Sequence, residues 1–449
     1  MVVTDETSLK RWQPSAEEPW NLRRVWHLHR RAGFGATWDQ LQRDLREGHE
    51  AAIDRVVAGL ANGQQHESSD AFEQMSSVIC DAAVAANNIN RLKAWWLYRT
   101  LNSPSPLSER LPLMWHNHFA TSNFKVEDVG MMRRQNDTLR RLANGNLGDL
   151  LRTMANDPAL LMWLDADANR SEHPNENFAR EIMELFTLGE GNYQERDVQE
   201  AARALTGWTV KQTEFRDIKA RHDGGPKTIF GQSGGFGGND FVRLLLEHPA
   251  TSKRIAWRIC DTFTGESTVG ADIVDELAAE LVASELDIGL AIETVLRSEA
   301  FFADANIGNR VLSPVEFVTG AIRTLEIMKP PPSTLLLAEV TANLGQDLFH
   351  PPNVFGWPGG RSWLTSRGII AHANFVLALV DGQMHTRPAK FVAEDFVRNR
   401  GASNAAESSR LFAQIVSGVD ELPNELQKFA AQPNKLVVAM LSSPQAFLG

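Results

Sequence analysis

Between Pro174 and Trp208 the chain reads PNENFAREIMELFTLGEGNYQERDVQEAARALTGW, and acidic, basic and amide side chains fall there at helical spacing. Glu176, Arg180 and Glu184 stand four residues apart. With Asn177 and Glu181 they share one polar arc of a helical wheel, while Phe178, Ile182, Met183, Leu185 and Phe186 fill the other side. Two chemistries fit this pattern. Alternating charges at this spacing form an ion-pair ladder on an exposed helix face. Paired carboxylates turned into a pocket serve instead as general acid/base groups or metal ligands, with Arg180 holding an anionic or polarised part of a substrate. Asn175 and Asn177 at the helix start, and Asp197 and Arg203 on the next helix, would line such a pocket.

Three further clusters carry reactive groups. In His222-Asp223-Gly224-Gly225-Pro226-Lys227 a His-Asp pair suits acid/base work or metal ligation, and Lys227 suits a developing anion; Asp-Gly-Gly-Pro is also strong turn chemistry. Trp115-His116-Asn117-His118-Phe119 has the His-x-His spacing of metal ligands on an extended strand. The preceding residues read as helix, where positions two apart diverge by about two hundred degrees, so joint chelation by His116 and His118 requires the helix to end first. The third cluster, His350 to Gly360, packs Pro, Gly and two aromatics into a rigid loop, which makes Trp357, like Trp208, a candidate cleft wall. No GxSxG elbow, P-loop or GxGxxG after a strand is present, which removes serine-hydrolase and nucleotide-binding signatures.

The elements that must position these groups are mainly helices. Expected segments include helices either side of a Gly33-Phe34-Gly35 turn within Trp26–Leu60, then Arg91–Leu101, Leu107–Phe119 and Met131–Leu142. Asn175 is placed to start the polar-arc helix and Gly189 to stop it; Asp157-Pro158 and Ser313-Pro314-Val315-Glu316 are helix starts. Gln64–Asp70 reads as a polar loop. Residues 209–239, with five glycines from Gly231 to Gly238, read as a long irregular loop with one hairpin at most. The fold class is mainly α: a polar extension over 1–25, one large helical domain over 26–384, and a helical extension over 385–449 packed on the same domain.

Composition narrows the classes. Hydrophobic residues make up 43% of the 449 and charged residues 22%, as in soluble globular chains. A net charge of −11 with only short basic clusters argues against nucleic acid; His29-Arg30-Arg31 and its like read as polar faces of amphipathic helices. The two cysteines, Cys80 and Cys260, read as buried free thiols. The 12 tryptophans fit core anchors better than a carbohydrate platform. No membrane span and no secretory leader is evident, so the expected location is cytoplasmic, or periplasmic if a leader was removed.

Eight blocks in order (WHNHFATS, DPALLMWLD, PNENFAREIMELFTLGEGNY, DVQEAARALTGW, HDGGPKTIFG, HPATSKRIAWRI, SPVEFV and PPNVFGWPGGRSWL) resemble the bacterial family described as domain of unknown function 1800. The resemblance runs from about Trp26 to Phe375 and less distinctly to the C-terminal Ser-Ser-Pro-Gln-Ala-Phe. It implies a predominantly helical domain and carries no activity over. It also implies a sulfatase/alkaline-phosphatase-like partner encoded nearby, and export, from which this sequence departs by lacking a leader.

The resulting expectation is a hydrolase, with a divalent metal as a possible cofactor, whose pocket lies where the Asn175 helix, Trp115–Phe119 and the His222 loop meet. In that picture Glu176, Glu184, His222 and Asp223 act as ligands or acid/base groups, and Arg180 and Lys227 bind an anion. Asn175, Asn177, Arg203, Trp208 and Trp357 touch substrate. The alternatives are a non-catalytic scaffold using the Gly-rich loop as its partner surface, and a carbohydrate-binding protein.

Overall fold

Side-chain caps open the helices of the N-terminal third. Helix α1 (Leu22–Arg31) starts where Asn21 accepts the Arg24 N–H, and α2 (Trp38–Glu47) starts at a Thr37/Gln40 capping box. Gly48, at φ 91°, ends α2 and begins α3 (His49–Val57), so the second expected helix of Trp26–Leu60 is a pair. Helices α4 (Ser69–Ala85), α5 (Ile89–Asn102) and α6 (Pro106–His118) follow, with Pro106 at the first position of α6. The computed structural model describes residues 8–60, 69–265 and 269–449, so most of the Gln64–Asp70 segment lies outside the described residues. Helix accounts for 62% of the structure, and the two sheets are small, which makes the fold mainly α.

The 209–239 excursion corrects the expectation of one hairpin. It holds two: β1 (Trp208–Lys211) with β2 (Glu214–Asp217), and β3 (Lys227–Ile229) with β4 (Gln232–Gly234), both antiparallel. Their two-residue turns place Gln212 and Thr213 at φ 51° and 63°, and Phe230 and Gly231 at 49° and 77°. That is the pattern of the tight hairpin turns, which Asn-Gly usually signals. Gln-Thr and Phe-Gly carry no such signature, so composition alone suggested irregular chain.

The buried apolar side chains form two clusters with α6 between them. Leu107, Leu111, Met114 and Trp115 belong to one, which extends through Leu150, Phe186 and Ile255; Leu113 belongs to the other, with Trp96, Phe317, Phe412 and Leu436. Packed on several sides, α6 also buries Glu109, Arg110, His116 and His118. Buried polar groups need partners, and this helix sets up both clefts described below.

Eight of the 12 tryptophans are buried, Trp208 and Trp357 among them, in keeping with anchors in the core. Cys80 and Cys260 are buried free thiols. Arg24, Arg30 and Arg31 are also buried, against the amphipathic-face expectation: α1 is enclosed, and Arg30 and Arg31 reach the Val416 and Asn306 carbonyls. No helix among the described residues is long and apolar enough to cross a membrane.

Candidate functional site

In the polar arc of the Asn175 helix one rung of the expected ladder forms, Glu176 with Arg180, and Arg180 turns next to Glu195 rather than Glu184. Asn175 Oδ1 accepts the Asn177 N–H at 3.0 Å, while the two side-chain amides donate to the Asp165 and Leu164 carbonyls. The helix runs Asn177–Glu181 and continues as a π-helix over Ile182–Thr187, stopping at Gly189 with φ 80°. Arg180 lies 3.0 Å from Glu176 and 2.6 Å from Glu195. Glu184 accepts the Tyr193 hydroxyl at 2.6 Å. Burial, then the neighbouring Glu184, raises the Glu181 carboxyl. The ladder residues are half-buried or exposed.

A second network fastens the β3–β4 hairpin and the loop before it to the helix Glu195–Ala204. Arg203 donates to Asp223 at 2.7 and 3.2 Å and to Glu200 at 3.0 Å, and Glu200 accepts the Thr228 N–H. The buried Lys227 ammonium is held by the Asp223 and Gly225 carbonyls at 2.5 and 3.0 Å. His222 Nδ1 pairs with the Thr206 carbonyl at 2.9 Å. Arg203 holds the Asp223 carboxyl below its usual range. Arg180 and Arg203 thus attach at opposite ends of one helix, about 12 Å apart at 1.5 Å per residue. The residues chosen from sequence form two separate, internally paired clusters.

His116 and His118 are likewise kept apart, because α6 continues through both. His116 is enclosed by Trp96, Phe349 and Trp357 with neither ring nitrogen hydrogen-bonded, and burial lowers its pKa to about 3. His118 Nε2 meets the Phe186 carbonyl at 3.0 Å, an oxygen released by the π-turn. No group of three or more His, Cys, Asp or Glu among the described residues is placed to hold a metal ion. Trp208 is sealed against Gly238, where an added Cβ would come within 2.1 Å of the ring. Trp357 packs on His116 and edges a narrow cleft of about 100 Å³. None of Glu176, Arg180, Glu184, His222, Asp223 and Lys227 lines that cleft or the larger one below.

The larger cleft, about 530 Å³, opens between α1, α2 and the start of α6. That volume suits a small organic molecule. His29, Ser103, Ser108, Arg99 and Arg323 lie on its wall. His29 Nε2 is 2.7 Å from Oδ2 of the fully buried Asp44, whose other oxygen takes Arg43 at 2.9 Å and Arg55. His29 Nδ1 has no hydrogen-bond partner among the described residues. Arg323 donates to the Gly35 and Leu101 carbonyls and pairs with no carboxylate among the described residues; burial brings its pKa down to about 10. Fifteen residues and a turn separate His29 from Asp44, so spacing carries no signal for this pair.

No curated protein and no solved structure matches the chain. The family model described as "Protein of unknown function (DUF1800)" matches residues 27–448, nearly the whole length. The chain belongs to that family.

Proposed function

We propose that the protein is a hydrolase-type enzyme whose substrate, a small organic molecule, binds in the cleft between α1, α2 and α6. The observation that carries this reading is the His29–Asp44 hydrogen bond at the cleft wall. A carboxylate accepting from Nε2–H fixes the tautomer in which Nδ1 carries the lone pair. His29 then takes a proton from a water as that water adds to the substrate carbonyl, and returns it to the leaving group. Arg323, a buried cation without a carboxylate partner among the described residues, supports binding of an anionic or polarised group. On this reading the hydrolysis lies away from the Asn175 helix, where Glu176 is ion-paired with Arg180 and Glu184 accepts the Tyr193 hydroxyl.

A panel of chromogenic esters and amides tests the proposal. General base catalysis is worth about 10²–10⁴-fold, so His29→Gln should lower kcat by that order while leaving the melting temperature near wild type. Asp44→Asn should lower kcat as well. Unchanged turnover in His29→Gln, or a folded wild type that cleaves nothing in the panel, would sink the reading.

A second reading, a scaffold for a sulfatase/alkaline-phosphatase-like partner, draws support from the hairpin excursion, whose Gly231–Ser233 turn is exposed and tied to the body through Arg203 and Glu200. Co-purification of such a partner with the intact chain, abolished by replacing residues 231–235, would favour it over the enzyme.

A further inference from the structure

The helices Ser366–Val380 and Pro433–Leu441 leave an apolar pocket between them, which shares no lining residue with the His29 cleft. Leu377 and Val380 come from the first helix, Val438 and Ala439 from the second, and Phe391 and Phe429 bring aromatic rings from two further segments. The Phe391 N–H donates to the Val380 carbonyl at 2.9 Å, which ties that wall to the end of the first helix. Leu377 is 49% exposed and Phe391, Phe429, Val438 and Ala439 are half-buried, so the pocket leaves apolar surface in contact with water. Its volume of about 410 Å³ is on the scale of small-molecule sites, which combine apolar walls with a few placed polar groups.

The charged groups lining the pocket are Asp381, Lys390 and Lys435. Asp381 and Lys390 lie 3.6 Å apart and answer each other. Asn434 is also engaged, its Oδ1 accepting the Ala393 N–H at 2.8 Å. Lys435 forms no ion pair among the described residues, which leaves one ammonium over. It stands in the first turn of its helix, behind Pro433 at the first position, where the positive end of the helix dipole adds to its charge. A further ammonium, that of Lys428, lies 5.2 Å from the centre of the Phe429 ring.

Position along the second helix separates the charge from the apolar wall. Lys435, Val438, Ala439 and Ser442 recur at helical spacing on its pocket side, and Ser442 lies about 10 Å beyond Lys435 at 1.5 Å per residue. An apolar strip with a cation at one end is complementary to a slender molecule whose apolar body ends in an anion. We propose that this pocket binds a medium-chain aliphatic carboxylate, its chain along Leu377, Val438 and Ala439 and its carboxylate at Lys435.

Calorimetric titration of the full chain at fixed ionic strength tests this, with octanoate, 1-octanol, octylammonium and acetate as probes. Octanoate should bind saturably and raise the melting temperature. Acetate, which lacks the chain, and octylammonium, which reverses the charge, should bind at least tenfold more weakly, and octanol several-fold more weakly. Lys435→Gln should weaken octanoate several-fold and leave octanol unchanged. Leu377→Glu sets a carboxylate on the apolar wall and should weaken octanoate at least tenfold. Lys435 and Leu377 are both exposed, so each variant should keep the wild-type melting temperature, and either one alone suffices if the other fails to fold. Octanoate binding no more tightly than octanol or octylammonium, or undiminished octanoate binding in folded Lys435→Gln or folded Leu377→Glu, would overturn the proposal. The readout is binding, so it stands or falls independently of turnover at His29.

Discussion

At the scale of single residues, types and spacing located charged groups correctly but not their use. The ladder Glu176–Arg180 followed from four-residue spacing, and the structure has it at 3.0 Å. What spacing cannot encode is the third partner, Glu195, which arrives from the next helix and leaves Arg180 committed. His116 shows the reverse. Its letters suggested a ligand, and its surroundings are three aromatic rings that hold it neutral. Its folded pKa of about 3 lies below the unfolded value near 6.5, so between those limits the unfolded chain binds the extra proton. Stability contributed by neutral His116 is therefore complete above about pH 6.5 and is lost as pH falls, by about 1.4 kcal/mol per pH unit, until the folded group titrates. His116→Phe keeps the ring shape and removes two unpaired nitrogens. Chemical denaturation at pH 5 and pH 7 should find this variant equal to or more stable than wild type at pH 7, with the larger gain at pH 5. A variant that loses several kcal/mol at both pH values would show that the imidazole nitrogens have partners that matter.

Helix starts were legible where a capping side chain precedes a proline. Asp157 and Ser313 each accept the backbone N–H that their position predicts. Hairpins were not, because positive φ at Gln212, Thr213 and Phe230 is imposed by strand pairing and, at Phe230, by docking onto the Glu195–Ala204 helix. Nor was the cleft, because the His29–Asp44 contact depends on how α1 folds back on α2, which periodicity does not specify. One element boundary gives a sharp test. Gly238 opens the helix that follows the hairpins, and Trp208 lies against its backbone so closely that a Cβ would overlap the indole. Gly238→Ala should therefore cost about 1–3 kcal/mol by overpacking, measured as a lowered denaturation midpoint. The helix start itself would tolerate alanine, so an unchanged midpoint would mean that Trp208 swings away freely and is not the anchor of the excursion.

At the scale of the molecule, α6 decides how the parts cooperate. A chain of 449 residues has length for more than one domain, and the C-terminal helices from residue 385 were expected to pack on the main body. Leu111 of α6 lies in the cluster built from the middle of the chain, and Leu113 in the cluster built with the C-terminal helices. The C-terminal end is also joined to the segment before the Pro314–Thr324 helix, through Leu312 N–H to Phe447 O at 2.8 Å and Gly449 N–H to Arg310 O at 2.9 Å. Unfolding either cluster strips one side of α6 and exposes Glu109, Arg110 and their ion pairs, so neither side has a stable folded remainder to leave behind. Unfolding should accordingly be a single transition, with helix content by circular dichroism and tryptophan fluorescence giving coincident midpoints. Leu111→Ala and Leu113→Ala empty opposite clusters, each at a cost of about 2–5 kcal/mol. Each should move the whole transition down without splitting it. A Leu113→Ala protein that melts in two steps, the first losing only part of its helix signal, would show that the C-terminal helices form a separable unit and that α6 does not join the two cores.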